Sequence, residues 1–123
     1  MEKKIFKLNE KENTISFNVD KDHNMMVNAT EMANIFGKLV KDFMDNDGTQ
    51  KFIQACLRKA KSEREKEENN NVNSDLNKVI SPFLNIKSEE DLYTSKQKTG
   101  TWMHQILAIK FAAWLDPDFE VWV

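Results

Sequence analysis

The sequence predicts an α+β fold: a small winged-helix-like domain with an N-terminal β-hairpin, a three-helix cluster, a second β-hairpin as a wing, and buried C-terminal helices. Three observations predict it. Two stretches near the N-terminus alternate apolar and polar residues, the period of a half-buried strand. The middle of the chain carries apolar residues at three- and four-residue spacing, the period of an amphipathic helix. A second alternating segment is broken by the polar tip KQKTG.

Taken in order, KIFKLNE places Ile5, Phe6 and Leu8 on one strand, and TISFNVD places Ile15, Phe17 and Val19 on the next, with KEN as the loop between them. DKDHN is the following turn. Asn28 and Glu31 then stand in an N-x-x-E relation, close to a capping box, at the head of a helix with Met32, Ala33, Ile35 and Phe36 on one face. Gly37 occupies the place of a helix C′ residue. A second short helix follows with Leu39, Val40, Phe43 and Met44, and Asp47-Gly48 ends it. Thr49 is expected to cap a third helix, residues 49–61, whose buried stripe is Phe52, Ile53, Cys56, Leu57 and Ala60. These three helices form a helix-turn-helix-like cluster. The periodicity ends after Ala60, and residues 62–78, charged and then asparagine-rich, read as a mobile insert or a solvated helix end. LNKVISPFLNI fits either a loop or a helical turn. DLYTSKQKTGTWM forms the second hairpin, and Met103, Ile106, Leu107, Phe111 and Trp114 then mark a buried helix. Asp116 and Pro117 look like the N-cap and N1 of a last helix.

Composition narrows the function. At 123 residues the chain reads as a single domain, 1–123, with net charge −2 and 31% charged residues. The chain as a whole gives no electrostatic case for nucleic acid, so a DNA binder must concentrate its cations locally. One cysteine allows no internal disulfide, and two distant histidines give no zinc spacing. A cytoplasmic location fits. There is no apolar leader, no run long enough to span a membrane, and no sign of a metal or small-molecule cofactor. Gly37, Gly48 and Gly100 are widely separated and make no phosphate-binding loop.

No catalytic residue is assigned. His104 can be drawn beside Asp116 or Asp118, but Asp116 already has a capping role and no nucleophile motif accompanies them. His104 is expected to be a structural, hydrogen-bonded histidine, and Cys56 an inert core thiol. The protein is read as non-enzymatic.

The cations carry more information. From Lys38 to Lys61 six of them, Lys38, Lys41, Lys51, Arg58, Lys59 and Lys61, face three aspartates, a local balance of +3 in a chain of −2. Duplex DNA rewards such segregation, because each neutralised phosphate releases counterions. Gln50 and Gln54 on the polar face of the third helix can reach adenine edges. Lys96 and Lys98, with Thr94, Ser95 and Thr99, give the second hairpin phosphate-binding donors. The plain alternative is that these residues only solvate a surface helix and a hairpin tip.

Three stretches then resemble one family. VNATEMANIFGK, DFMDNDGTQKFIQAC and TGTWMHQILAIKFAAWLDPDFEVWV are similar, in order, to the opening motif, the following aromatic block and the closing signature of the KilA-N domain. The signature positions are Asn28, Thr30, Gly37, Thr101, Trp102, His104, Trp114 and Pro117. The chain departs from the pattern at Phe43, where tryptophan is usual, at Gln105, and in the EREKEENNN insert. The resemblance implies DNA binding, in phage, bacterial or viral regulatory and antirepressor-like proteins. It also implies an α+β fold related to the fungal APSES domain, in which a helix pair and a hairpin wing contact DNA.

The expectation is therefore a double-stranded DNA-binding module acting through the helix 49–61 and the hairpin 94–99. Lys38, Lys41, Lys51, Arg58, Lys61, Lys96 and Lys98 would meet phosphates, and Gln50 and Gln54 base edges. The alternative is a protein-interaction or oligomerisation module without DNA contact, in keeping with the acidic pI near 5.7. The last helix stops at Val123 without a cap or polar finish, so the chain reads as a fragment. The region beyond it would then bind a second copy or another protein.

Overall fold

The computed structural model describes residues 2–8, 11–20, 23–69, 83 and 85–122. The chain is α+β. The strands β1 (Glu2–Leu8), β2 (Lys11–Val19), β3 (Met25–Asn28), β4 (Tyr93–Lys96) and β5 (Gly100–His104) form one antiparallel sheet in the order β1-β2-β3-β5-β4. The helices are α1 (Ala29–Ile35), α2 (Val40–Met44), α3 (Asp47–Asn69), α4 (Glu89–Leu92), α5 (Gln105–Leu115) and α6 (Pro117–Trp122).

The two hairpins are halves of one sheet. Their seam is β3, which pairs with β2 through Val27↔Phe17 and with β5 through Asn28↔Trp102. Met26, Val27 and Asn28 are all buried, so this short strand shows no alternation and looks in sequence like the run-up to α1. The first hairpin also closes earlier than its composition suggests. Leu8 pairs with Lys11, so Lys11, Glu12 and Asn13, read above as the loop, are the first residues of β2. Ile5 and Val19 are exposed.

Helix α1 begins and ends where its sequence marks it. The Asn28 carboxamide oxygen accepts from the Glu31 N–H at 3.0 Å. Gly37 takes φ +65° just past the helix, a conformation that favours glycine. The reciprocal half of the capping box is replaced, because the Glu31 carboxylate accepts instead from the Ser16 N–H at 2.7 Å and so ties α1 to β2.

Helix α3 differs from expectation at its start. It starts at Asp47, with the Asn46 side chain accepting from the Gly48 N–H at 2.9 Å. Thr49 is therefore not its cap but a buried residue of the first turn. At the other end the helix runs to Asn69, and residues 70–78 of the stretch read as a mobile insert or a solvated helix end lie outside the described residues. Most of LNKVISPFLNI lies outside them too, apart from Phe83, packed on the core, and the buried Ile86, whose carbonyl accepts from the Arg64 guanidinium.

Ile53, Cys56 and Ala60 of α3 meet Leu107, Phe111 and Ala112 of α5 in the core, with Met32, Phe43, Met103 and Phe119. Each large apolar side chain sealed there stabilises the fold by about 1.5–3 kcal/mol. Asp116 ends α5 and starts α6. Its N–H donates to the Ala112 carbonyl at 2.9 Å, and its carboxylate accepts from the Asp118 N–H at 2.9 Å, with Pro117 at the first helical position.

Candidate nucleic-acid interface

The solvent face of α3 gathers part of the expected contact set. Gln50, Lys51, Gln54 and Arg58 line one shallow depression on it. All four are exposed, whereas Ile53, Cys56 and Ala60 of the same helix are buried. Gln50 donates to the Met44 carbonyl at 2.7 Å, and Gln54 to the Glu89 carboxylate at 2.9 Å. The second bond reaches the first residue of α4, which runs directly into β4 of the second hairpin. Sequence reading missed α4, although Ser88 and Asp91 stand at capping-box spacing there, with the Asp91 carboxylate accepting from the Ser88 N–H at 3.2 Å.

The cations are less free than their sum suggests. Lys51 pairs with Asp47 at 3.0 Å, Lys59 with Glu63 at 3.4 Å, and Lys41 with Asp45, each across one helical turn. The Asp45 carboxylate, by hydrogen bond and by charge, raises the Lys41 ammonium above the usual lysine range. These side chains are largely exposed, and such pairs are weak and exchange readily for another anion. Arg58 and Lys61 are exposed, with no ion pair among the described residues.

Lys38 lies elsewhere. Its ammonium donates to the Leu115 carbonyl at 3.2 Å and the Trp114 carbonyl at 3.5 Å, and stands 4.9 Å over the Trp114 ring. It satisfies the last carbonyls of α5, where a cation also meets the negative end of the helix dipole. That use joins residues 76 and 77 positions apart, so no local pattern could reveal it.

At the second hairpin, Lys96 stands 5.3 Å over the Trp102 ring, and Lys98 is exposed in the turn at the tip. The base of the hairpin is held by three hydrogen bonds. The Asn28 side chain donates to the Thr99 carbonyl at 2.8 Å, the Trp102 indole to the Thr99 hydroxyl at 2.9 Å, and the Thr101 N–H to the Thr30 hydroxyl at 2.9 Å. Gly100 has φ +98°, and a Cβ there would stand 2.5 Å from the Thr30 oxygen. Thr30 and its neighbours thus require glycine at this position.

His104 is buried at the junction of β5 and α5, where its Nδ1 accepts from the Ile106 N–H at 3.0 Å as the N-cap. Burial lowers its pKa, and the negative charges of Asp20 and Asp91 oppose that only in part. It is a neutral helix cap, with its ring proton on Nε2. Trp102 is buried, Trp114 is half-buried and stacked on Phe111 at 6.0 Å, and the buried Cys56 thiol is pushed up by desolvation. Among the described residues no group of three His, Cys, Asp or Glu side chains could hold a metal ion. No helix among them is long and apolar enough to cross a membrane.

One family model, the KilA-N domain, matches residues 10–123. No curated protein and no solved structure matches the chain.

Proposed function

This chain belongs to the KilA-N family of DNA-binding domains, and we propose that it meets duplex DNA with the outer face of α3 and the tip of the second hairpin. The observation that carries the proposal is the shared depression of Gln50, Lys51, Gln54 and Arg58, tied through Gln54 and Glu89 to the element that leads into the hairpin. Arg58, Lys61, Lys96 and Lys98 neutralise phosphates. Lys51 and Lys41 join them by exchanging an exposed aspartate for a phosphate. Gln50 and Gln54 give up one intramolecular hydrogen bond each for the N6 and N7 edge of adenine. Lys38 is left out of this set, because the end of α5 already uses its ammonium.

In this reading the parent is a phage-derived or bacterial regulatory protein of the antirepressor-like kind, working in the cytoplasm on the nucleoid. The test is a salt titration of duplex binding with Lys51→Glu and Arg58→Glu. Both charge reversals should weaken binding across all sequences and flatten the salt slope. If no duplex is retained at low salt and both reversals are silent, the proposal is wrong. That outcome would favour a protein-interaction or oligomerisation module instead.

A further inference from the structure

The outer face of α3 has two borders. On one, Gln54 is bonded to Glu89 and so to the hairpin side. On the other, Lys110 of α5 stands 4.8 Å over the Phe52 ring. Residues two apart lie about 200° apart around a helix, so these borders are on opposite flanks of α3. Beside Lys110 a hollow opens between α5 and the start of α3, lined also by Phe43, Thr49, Ala113 and Trp114.

Two features of the hollow ask for a ligand. Thr49 is 2% exposed, and its hydroxyl makes no hydrogen bond among the described residues. No fully sealed side-chain polar atom among them lacks a partner, so this hydroxyl opens into the hollow that Thr49 lines. Lys110 forms no ion pair among the described residues, and its ammonium is held by a ring alone. The backbone does not compete, because Asn46 already accepts from the N–H groups of Gly48, Thr49 and Gln50.

We infer that this hollow seats one phosphodiester of duplex DNA, with its sugar, on the flank of α3 opposite the hairpin. Lys110 supplies the positive charge and the Thr49 hydroxyl a hydrogen bond to a phosphate oxygen. Trp114 and Ala113 give the apolar wall for the deoxyribose. The inference rests on the DNA reading above and extends its footprint to a second backbone contact. The face of α3 is then held from both sides.

The test uses a mixed-sequence duplex, a salt titration and phosphate-ethylation interference. Lys110→Gln should lower the salt slope by about 0.9, the value of one phosphate contact, and remove one ethylation-sensitive phosphate. Lys110→Arg should restore both, and Thr49→Val, which keeps the shape and loses the hydroxyl, should weaken the same phosphate at unchanged Tm. If Arg58→Glu weakens binding while Lys110→Gln and Thr49→Val leave slope and ethylation pattern untouched, the hollow is not a phosphate seat and the DNA reading stands. If the wild-type chain retains no duplex at low salt, both fall together.

Discussion

The base of the second hairpin and the outer face of α3 are both rich in polar residues, and they use them in opposite ways. At the hairpin base, Asn28 and Trp102 are bonded to Thr99, and Thr101 to Thr30, at 2.8–2.9 Å. On α3, Lys51 holds an exposed aspartate, and Arg58 and Lys61 hold no carboxylate among the described residues. The first region sets a geometry, while the second keeps its charges exchangeable. Asn28, Thr30 and Trp102 of the frame are among the residues on which the resemblance to the family was read, and the proposed contacts stand on the surface beside it.

That division can be broken by substitution. The largest effect is expected from Trp102→Ala, which empties a buried site and removes the indole's bond to Thr99, a loss of about 3–5 kcal/mol readable by denaturant unfolding. Gly100→Ala should follow at roughly 1–3 kcal/mol, since its methyl group meets Thr30 and its φ is disfavoured. Asn28→Ala removes the α1 cap and one tie to the hairpin, for about 1–2 kcal/mol in the same assay. Replacing Asn28 without loss of stability would undo the account of the frame.

A smaller effect is expected from pH. The folded chain holds His104 below its ordinary pKa of 6.5. Above that value both folded and unfolded chains carry it neutral, and its contribution is fully present. As pH falls through 6.5, the unfolded chain takes up the proton first and stability drops. His104→Asn, which can still cap α5 and cannot titrate, should remove this part of the pH dependence of the unfolding midpoint. The smallest change in stability belongs to Arg58→Glu, within about 0.5 kcal/mol. In the proposed function the same variant is among the most damaging for duplex binding. A large stability loss there would erase the contrast between the two regions.

What could be read from sequence follows the distance over which each interaction acts. The Asn28 cap, Gly37 and the Asp116-Pro117 junction are settled within three or four residues, and they stand where the pattern puts them. Strand β3 was hidden because burial of Met26, Val27 and Asn28 erases the alternation that betrays a strand. The start of α3 was misplaced because Thr49 is a strong capping residue type, and tertiary packing buries it instead. Charge was read as a sum, although the spacing of Lys41 and Asp45, and of Asp47 and Lys51, already showed pairs one turn apart. The bond from Gln54 to Glu89, the placement of Lys38 and the Thr49 hollow join distant segments, and only the fold brings those together.

Thr99 has a consequence for how such a module could change its target. Its carbonyl accepts from Asn28 and its hydroxyl from Trp102, so the chain is anchored at this residue. Ahead of it, Gln97 and Lys98 stand exposed in the turn. An insertion or exchange at these two positions alters length and charge at the tip, yet leaves the register of β5 on β3 intact. The same insertion one residue after Thr99 would shift that register and turn each following side chain of β5 to the other face of the sheet. The hairpin is therefore permissive on one side of a single residue and intolerant on the other. Variation in binding preference has a place to accumulate without risk to the fold.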